Sequence, residues 1–198
     1  PGSNYALTPE DVRKFEEKIG RAKLLMVQLE VPLETVKEAV RLAKKHGVQV
    51  LLDPAPARPL PDDLLGMVDY ILPNETEIEQ LTGIKVTDPA SAKEAAEALR
   101  ARGVATVFAK MGARGVVIVD QNGDTYVPAY KVKAVDTTAA GDTFAGAVAA
   151  ALTRGEDILS AARFASAAGA LTVTRKGAQS AMPTLEETLR FMEEAEKV

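Results

Sequence analysis

The sequence predicts an α/β fold, a three-layer α/β/α arrangement around a mainly parallel sheet with an antiparallel hairpin. Three observations carry that reading. Short apolar runs alternate with longer amphipathic stretches, the pattern of βαβ units. Gly47, Gly83 and Gly103 sit at the ends of the amphipathic stretches, where helices stop. Gln121-Asn122-Gly123-Asp124 lies between strand-like runs and signals a hairpin, because Asn-Gly readily supplies positive φ.

The elements follow in order. Pro1-Gly2-Ser3-Asn4 reads as loop. Thr8 is an N-cap, with Pro9 at the first helical position, acids in the first turn, and Val12, Phe15 and Ile19 at helical spacing. Lys23 to Gln28 is a buried strand, and about Leu33 to His46 is a helix with Val36, Ala39, Val40 and Ala43 on one face. Val48 to Leu52 is the next strand. Asp53 to Pro61 holds four prolines and must be a rigid loop leaving a strand end. Val68 to Leu72 is a strand, and Asn74 to Leu81 and Ala90 to Arg102 are helices. Val104 to Lys110 and Gly115 to Asp120 are strands. Beyond Asp136 the chain turns helical and small: Ala140 to Leu152, Ile158 to Val173 and Leu185 to Ala195.

Composition narrows the function. The chain has 198 residues, which fit a single domain over 1–198, and a net charge of 24 − 28 = −4. That acidity argues against a nucleic-acid partner. No apolar run approaches the roughly 18 residues of a membrane helix, and no basic-plus-apolar leader is present, so the expectation is a cytoplasmic protein. With no Cys and a single His, disulfides, thiolate metal sites and His-rich sites are excluded, and a Ser-His-Asp triad has little room. The chain begins at Pro1 rather than at Met.

The most informative stretch is Val135-Asp136-Thr137-Thr138-Ala139-Ala140-Gly141-Asp142-Thr143-Phe144. Small residues lead straight into a long helix, whose first-turn N–H groups and dipole bind anions. Gly141 lets a phosphate approach the backbone, and Asp142 is a carboxylate placed to take a proton from an attacking hydroxyl. An anion hole beside a base suits phosphoryl transfer; an acid that merely caps a core helix is the competing reading. Asn74 and Glu77 share one helical face just after a strand and can hold hydrated Mg²⁺ with phosphate oxygens, or form an Asn-x-x-Glu capping box. Lys110-Met111-Gly112-Ala113-Arg114-Gly115 is a Gly-containing turn that can clamp a nucleotide or serve as an ordinary connection. Walker A and G-x-G-x-x-G motifs are absent.

Asp136 to Phe144 resembles the signature of the ribokinase-like (PfkB-type) sugar kinases. Thr174-Arg175-Lys176-Gly177-Ala178-Gln179, Asp53-Pro54-Ala55-Pro56 and Pro73-Asn74-Glu75-Thr76-Glu77 resemble the ribokinase branch of that family. The resemblance covers essentially the entire chain and corresponds to the C-terminal part of the family's Rossmann-like fold. It implies ATP-dependent phosphorylation of D-ribose at the 5-hydroxyl, with ATP, Mg²⁺ and K⁺. Asp142 would be the base, and the N–H groups of Ala139, Ala140 and Gly141 the anion hole for the γ-phosphate. Asn74 and Glu77 would govern Mg²⁺ and phosphate, and Glu30 would contact ribose. Lys110, Met111, Gly112, Ala113, Arg114, Gly115 and Ser166 match ATP-contacting positions. The monovalent cation would take the Asp136 carboxylate and the carbonyls of Thr138, Thr172, Arg175 and Gly177. One departure is Ala181, with Ser180 beside it, where a Ser-type cation ligand is expected.

The family's first strand, Gly-rich sugar-binding segment and β lid have no counterpart here, and Pro1-Gly2-Ser3-Asn4 resembles the segment that follows the lid. The resemblance therefore implies a chain that binds ATP·Mg²⁺ weakly and turns ribose over poorly or not at all, since lid closure orients the hydroxyl and excludes water. Two alternatives stay open. One is another PfkB-type kinase, for a ketodeoxygluconate, fructose or a nucleoside. The other is a non-catalytic folded segment that forms a homo-oligomer through a sheet edge and apolar faces.

Overall fold

Two short helices, α1 (Pro9–Arg13) and α2 (Glu16–Gly20), lead into a sheet whose strands follow one another in sequence order. The computed structural model describes residues 2–195. The strands are β1 (Leu24–Val27), β2 (Gln49–Leu52), β3 (Tyr70–Ile71), β4 (Thr106–Lys110), β5 (Val116–Asp120) and β6 (Gly123–Val127). The first four pair in parallel: Met26 lies opposite Leu51, Leu52 opposite Ile71, and Ile71 opposite Val107. The sheet as a whole is mixed, mostly parallel with antiparallel pairs, and is flanked by helices. Val50, Leu51 and Leu52 are all fully buried, as are Val107 and Phe108, so both faces of the central strands are covered.

By contacts the described residues cluster into two compact units. One runs up to Met111 and includes Val117–Thr125; the other comprises Gly112–Val116 and the chain from Tyr126 onward. In the first unit the crossovers are α3 (Leu33–Lys45), α4 (Asp62–Leu65), α5 (Glu75–Thr82) and α6 (Pro89–Ala101). Strands added always on the same side, with right-handed crossovers, put such helices on one face. Val36 and Val40 of α3, Leu64 of α4, Ile78 of α5 and Leu99 of α6 accordingly share one core with Val50, Leu52, Val107 and Ala109. α3 forms because its apolar positions recur at helical spacing; its side chains Val36, Val40 and Ala43 are buried, with Ala39 half-buried.

In the second unit α7 (Ala140–Arg154) packs on α8 (Ile158–Val173), and α9 (Leu185–Ala195) packs on α8. The buried residues of α7 and α8 are mainly alanine, which lets two helices approach closely. Their one buried polar link joins Thr172 to Thr143, Oγ1 to Oγ1 at 3.1 Å. Asp157 caps α8 by accepting from the Ser160 N–H. Tyr130 meets Phe191 of α9 edge-on, with ring centroids 5.1 Å apart.

Several expectations need correction. Gly2–Ala6 is a 3-10 helix rather than loop, and Pro1 lies outside the described residues. Val12, Phe15 and Ile19 do not share one helix: the chain breaks at Lys14-Phe15, and Phe15 is half exposed. α4 follows Pro61 directly and escaped the pattern because one turn is too short for periodicity. At the hairpin the turn residues are Gln121 and Asn122; Asn122 donates its N–H to the Asp120 carboxylate at 2.7 Å, and Gly123 already opens β6. Gly112–Arg114 form a 3-10 turn inside the connection from β4 to β5. No helix among the described residues is long and apolar enough to cross a membrane.

Candidate active site

In the second unit the N-terminus of α7 is left open. Its N-cap, Ala139, makes no side-chain cap and sits at φ 60°, ψ 12°, the only non-glycine residue at positive φ among those described. A left-handed Ala costs about 1–2 kcal/mol. Ala140 donates its N–H to Thr137 and Thr143 donates to Ala139, whereas the N–H groups of Gly141 and Asp142 have no partner among the described residues. Gly141 and Asp142 are exposed, and the Asp142 carboxylate makes no hydrogen bond with the described residues. Two donors and a carboxylate, all without partners among the described residues, thus lie side by side at this helix terminus.

The loop feeding α7 is clasped to the chain leaving α8. Val135 and Asp136 donate their N–H groups to the Val173 carbonyl at 2.7 and 3.2 Å. The Asp136 carboxylate accepts from the Thr138 N–H at 3.0 Å and the Gly177 N–H at 3.1 Å. Those bonds, led by the Thr138 N–H and hydroxyl and followed by the Gly177 N–H, hold Asp136 below the ordinary carboxylate range. Gly177 takes φ 106°, and a Cβ there would lie 2.5 Å from the Ser180 Oγ, so the turn demands glycine. Asp136, Thr138 and Gly177 are thus brought together by these hydrogen bonds. Thr172 is less available, because its carbonyl accepts the Arg175 N–H at 3.1 Å. The Arg175 side chain turns to Glu187 of α9, 2.7 Å away. Ser166 is half-buried on α8.

In the first unit the predicted polar residues gather at the C-terminal ends of parallel strands, where α/β sheets bind ligands. Glu30 follows β1 and is exposed, and it lines a depression of about 260 Å³ with Asn4, Gln28, Val31 and Thr35. Asn74 caps α5 in a closed reciprocal box. Glu77 donates its N–H to Asn74 Oδ1 at 2.9 Å, while the Glu77 carboxylate accepts from the Asn74 N–H at 2.7 Å and Nδ2 at 2.8 Å. Glu77 is only 5% exposed, and burial pushes its carboxyl up, against the pull of Asn74 and Lys110. The capping reading is therefore realised in full. The donor set is one buried carboxylate and one amide oxygen, and no cluster of three acids or histidines exists among the described residues. It fits a hydrated Mg²⁺ shared with phosphate oxygens, not an all-protein cage.

Lys110 ends β4, and its Nζ lies 3.3 Å from Asp53 Oδ1 just beyond β2. Sequence reading missed this pair, since the partners are 57 residues apart and only the strand order brings them together. Met111 is buried. In the second unit, Gly112, Ala113 and Arg114 are exposed. Gly115 has φ 99°, and a Cβ would lie 2.1 Å from the Val127 carbonyl, so this turn also requires glycine. The Arg114 carbonyl accepts from the Tyr126 hydroxyl at 2.7 Å. The Thr143–Thr172 pair was missed as well; no local pattern announces it.

A family model of the pfkB family carbohydrate kinases matches residues 1–185. The chain belongs to this family. This pfkB-family chain is 46% identical to the ribokinase of Haemophilus influenzae over 194 residues, covering 98% of its own length and 63% of that protein. It is 45% identical to the ribokinase of Staphylococcus aureus, covering 94% of itself and 62% of the relative. It also resembles the structure of Arabidopsis thaliana ribokinase complexed with ribose and ATP, at a TM-score of 0.87 and 32% identity, over 91% of this chain and 59% of that one. The chain therefore spans somewhat less than two thirds of the curated relatives' length.

Proposed function

We propose that the chain supplies the nucleotide-phosphate cradle and the catalytic base of an ATP-dependent kinase acting on the 5-hydroxyl of D-ribose. The observation that carries this reading is the uncapped N-terminus of α7, where the Gly141 and Asp142 N–H groups and the Asp142 carboxylate have no partner among the described residues. Ala139, Ala140 and Gly141 would cradle the γ-phosphate. Asp142 would take the proton of the hydroxyl as its oxygen bonds to the γ-phosphorus; the bond to the β–γ bridging oxygen breaks, and ADP leaves. When bound, Mg²⁺ would neutralise charge on the phosphates, held through water by Asn74 and Glu77. The backbone of Lys110 to Gly115, with Ser166, would line the nucleotide, and Glu30 would contact the sugar. Asp136, Thr138 and Gly177, with the Thr172 and Arg175 carbonyls, would hold a K⁺ ion. Use of ATP as cosubstrate would be in keeping with a cytoplasmic reaction.

Within this chain, Glu30 and Asp142 are the proposed sugar contacts. Weak ATP·Mg²⁺ binding and poor ribose turnover are therefore expected. Calorimetric titration with ATP·Mg²⁺, with and without ribose and K⁺, tests the reading. Wild type should bind ATP·Mg²⁺ whether or not ribose is present, and Asp142→Ala should bind it too. No binding under any condition would refute the nucleotide site. A second reading, self-association, is favoured by one observation: β1 stands at the end of the strand order, with Met26 40% exposed. Size-exclusion chromatography decides it, since a clean monomer counts against association.

A further inference from the structure

The ion pair between Asp53 and Lys110 has an unusual placement. β2 and β4 are not neighbours in the sheet; β3 lies between them. Strands stand about 4.8 Å apart, so joining the ends of β2 and β4 means crossing the whole width of β3. The Lys110 stem makes that crossing and sets its ammonium 3.3 Å from Asp53, with side chains 13% and 7% exposed. Beneath it runs the exit of β3, Leu72-Pro73-Asn74, the stretch that delivers the N-cap of α5. The backbone agrees: the Lys110 N–H donates to the Pro73 carbonyl at 2.8 Å, and the Leu72 N–H to the Leu52 carbonyl at 3.0 Å. Both charges of the pair also act on the Glu77 carboxylate.

We propose that the Asp53–Lys110 pair is a strap across the end of β3 that positions the Asn74–Glu77 box, and that the Lys110 ammonium is a positioning group rather than a phosphate ligand. The strap holds the turn between Pro73 and Asn74 from the strand on either side. Outer partners that orient metal-contacting groups are worth about 10–100-fold in metal affinity when removed. A buried pair that loses one member leaves the other without that partner, so the effect falls on this turn first. The functional half of the inference rests on Asn74 and Glu77 meeting hydrated Mg²⁺; the structural half does not.

Two measurements separate those halves. The first is hydrogen exchange in the ligand-free chain at the amides of Asn74 and Glu77, comparing wild type, Lys110→Met, Lys110→Arg and a core control, Val119→Ala. Lys110→Met should speed exchange at both amides by about tenfold or more, with Lys110→Arg close to wild type. Unchanged protection in Lys110→Met would overturn the strap, as would equal acceleration in a control with the same loss of melting temperature. The second is calorimetry with ADP, with and without Mg²⁺. Lys110→Met should lose most of the Mg²⁺-dependent gain in ADP affinity while keeping the Mg²⁺-free affinity. Equal loss with and without Mg²⁺ would mean that the ammonium touches phosphate directly, and would overturn the positioning role. If wild type binds no ADP, the proposed nucleotide site fails, and the exchange result alone decides the strap.

Discussion

The helices α5 and α7 each begin in a stretch that the sequence marks as functional, and they begin in opposite ways. At α5 the Asn74–Glu77 box satisfies donor and acceptor within the chain, and the acid is buried. At α7 no side chain caps the helix, Ala139 carries left-handed strain, and Gly141 and Asp142 are exposed, their N–H groups without partners among the described residues. A helix that closes its own terminus has spent its first-turn donors on folding; one left open has them available for an anion. On the proposed reading, the open terminus would receive the transferring phosphoryl group. On the same proposed reading, the closed one would be a fixed post from which a single carboxylate meets a hydrated ion.

The largest expected effect falls on the open terminus. Asp142→Ala should lower any ribose-dependent ADP production by about 10²–10⁴-fold, as loss of a general base does. Its melting temperature should stay near that of wild type, because the Asp142 side chain has no hydrogen bond to the described residues. A coupled assay and a thermal melt read the two sides, and a large stability loss would show that Asp142 is a cap after all. Next, Ala139→Val forces a β-branched residue into φ 60° and should cost about 1–3 kcal/mol by denaturant titration. Ala139→Gly should change stability by less than about 1 kcal/mol, as relieved strain offsets the freer unfolded chain. A tolerant Ala139→Val would mean that the terminus carries no strain.

At the closed terminus the order reverses, with stability moving first. Asn74→Ala should cost about 1–2 kcal/mol in a denaturant melt, because it removes the N-cap and strips a buried acid of its amide partner. An unchanged midpoint would contradict the closed box. The smallest effect concerns Glu187, whose carboxylate is lowered from 4.5 to about 2, chiefly by Arg175 and then by the Thr184 N–H. A depressed carboxylate contributes fully above its ordinary value and loses the contribution as pH falls toward about 2. The melting-temperature gap between wild type and Glu187→Gln should therefore shrink between pH 5 and 2 (about the titration window of such a group). A gap independent of pH would show that the pair does not hold α9.

Legibility in the sequence followed range. Helix ends with local chemistry could be read directly: Thr8, Asn74 and the bounds of α8 and α9 lie where capping and spacing place them. The parallel core was legible because strands buried on both faces leave continuous apolar runs. What escaped was either too short, as with α4, or assembled from afar. Asp53 meets Lys110 and Thr172 meets Thr143 only because strand order and helix packing bring them together. The motif around Asp142 was plain, yet the left-handed Ala139 at its head was not. Nothing in an alanine's identity announces φ 60°; the surrounding turn imposes it.

The most direct test of the contrast is an amide-resolved NMR titration of the chain with ATP·Mg²⁺. The Gly141 and Asp142 amides should shift in a saturable way, with the helical amides later in α7 little affected. Saturable binding that leaves the Gly141 and Asp142 amides unmoved would contradict a phosphate cradle at the N-terminus of α7.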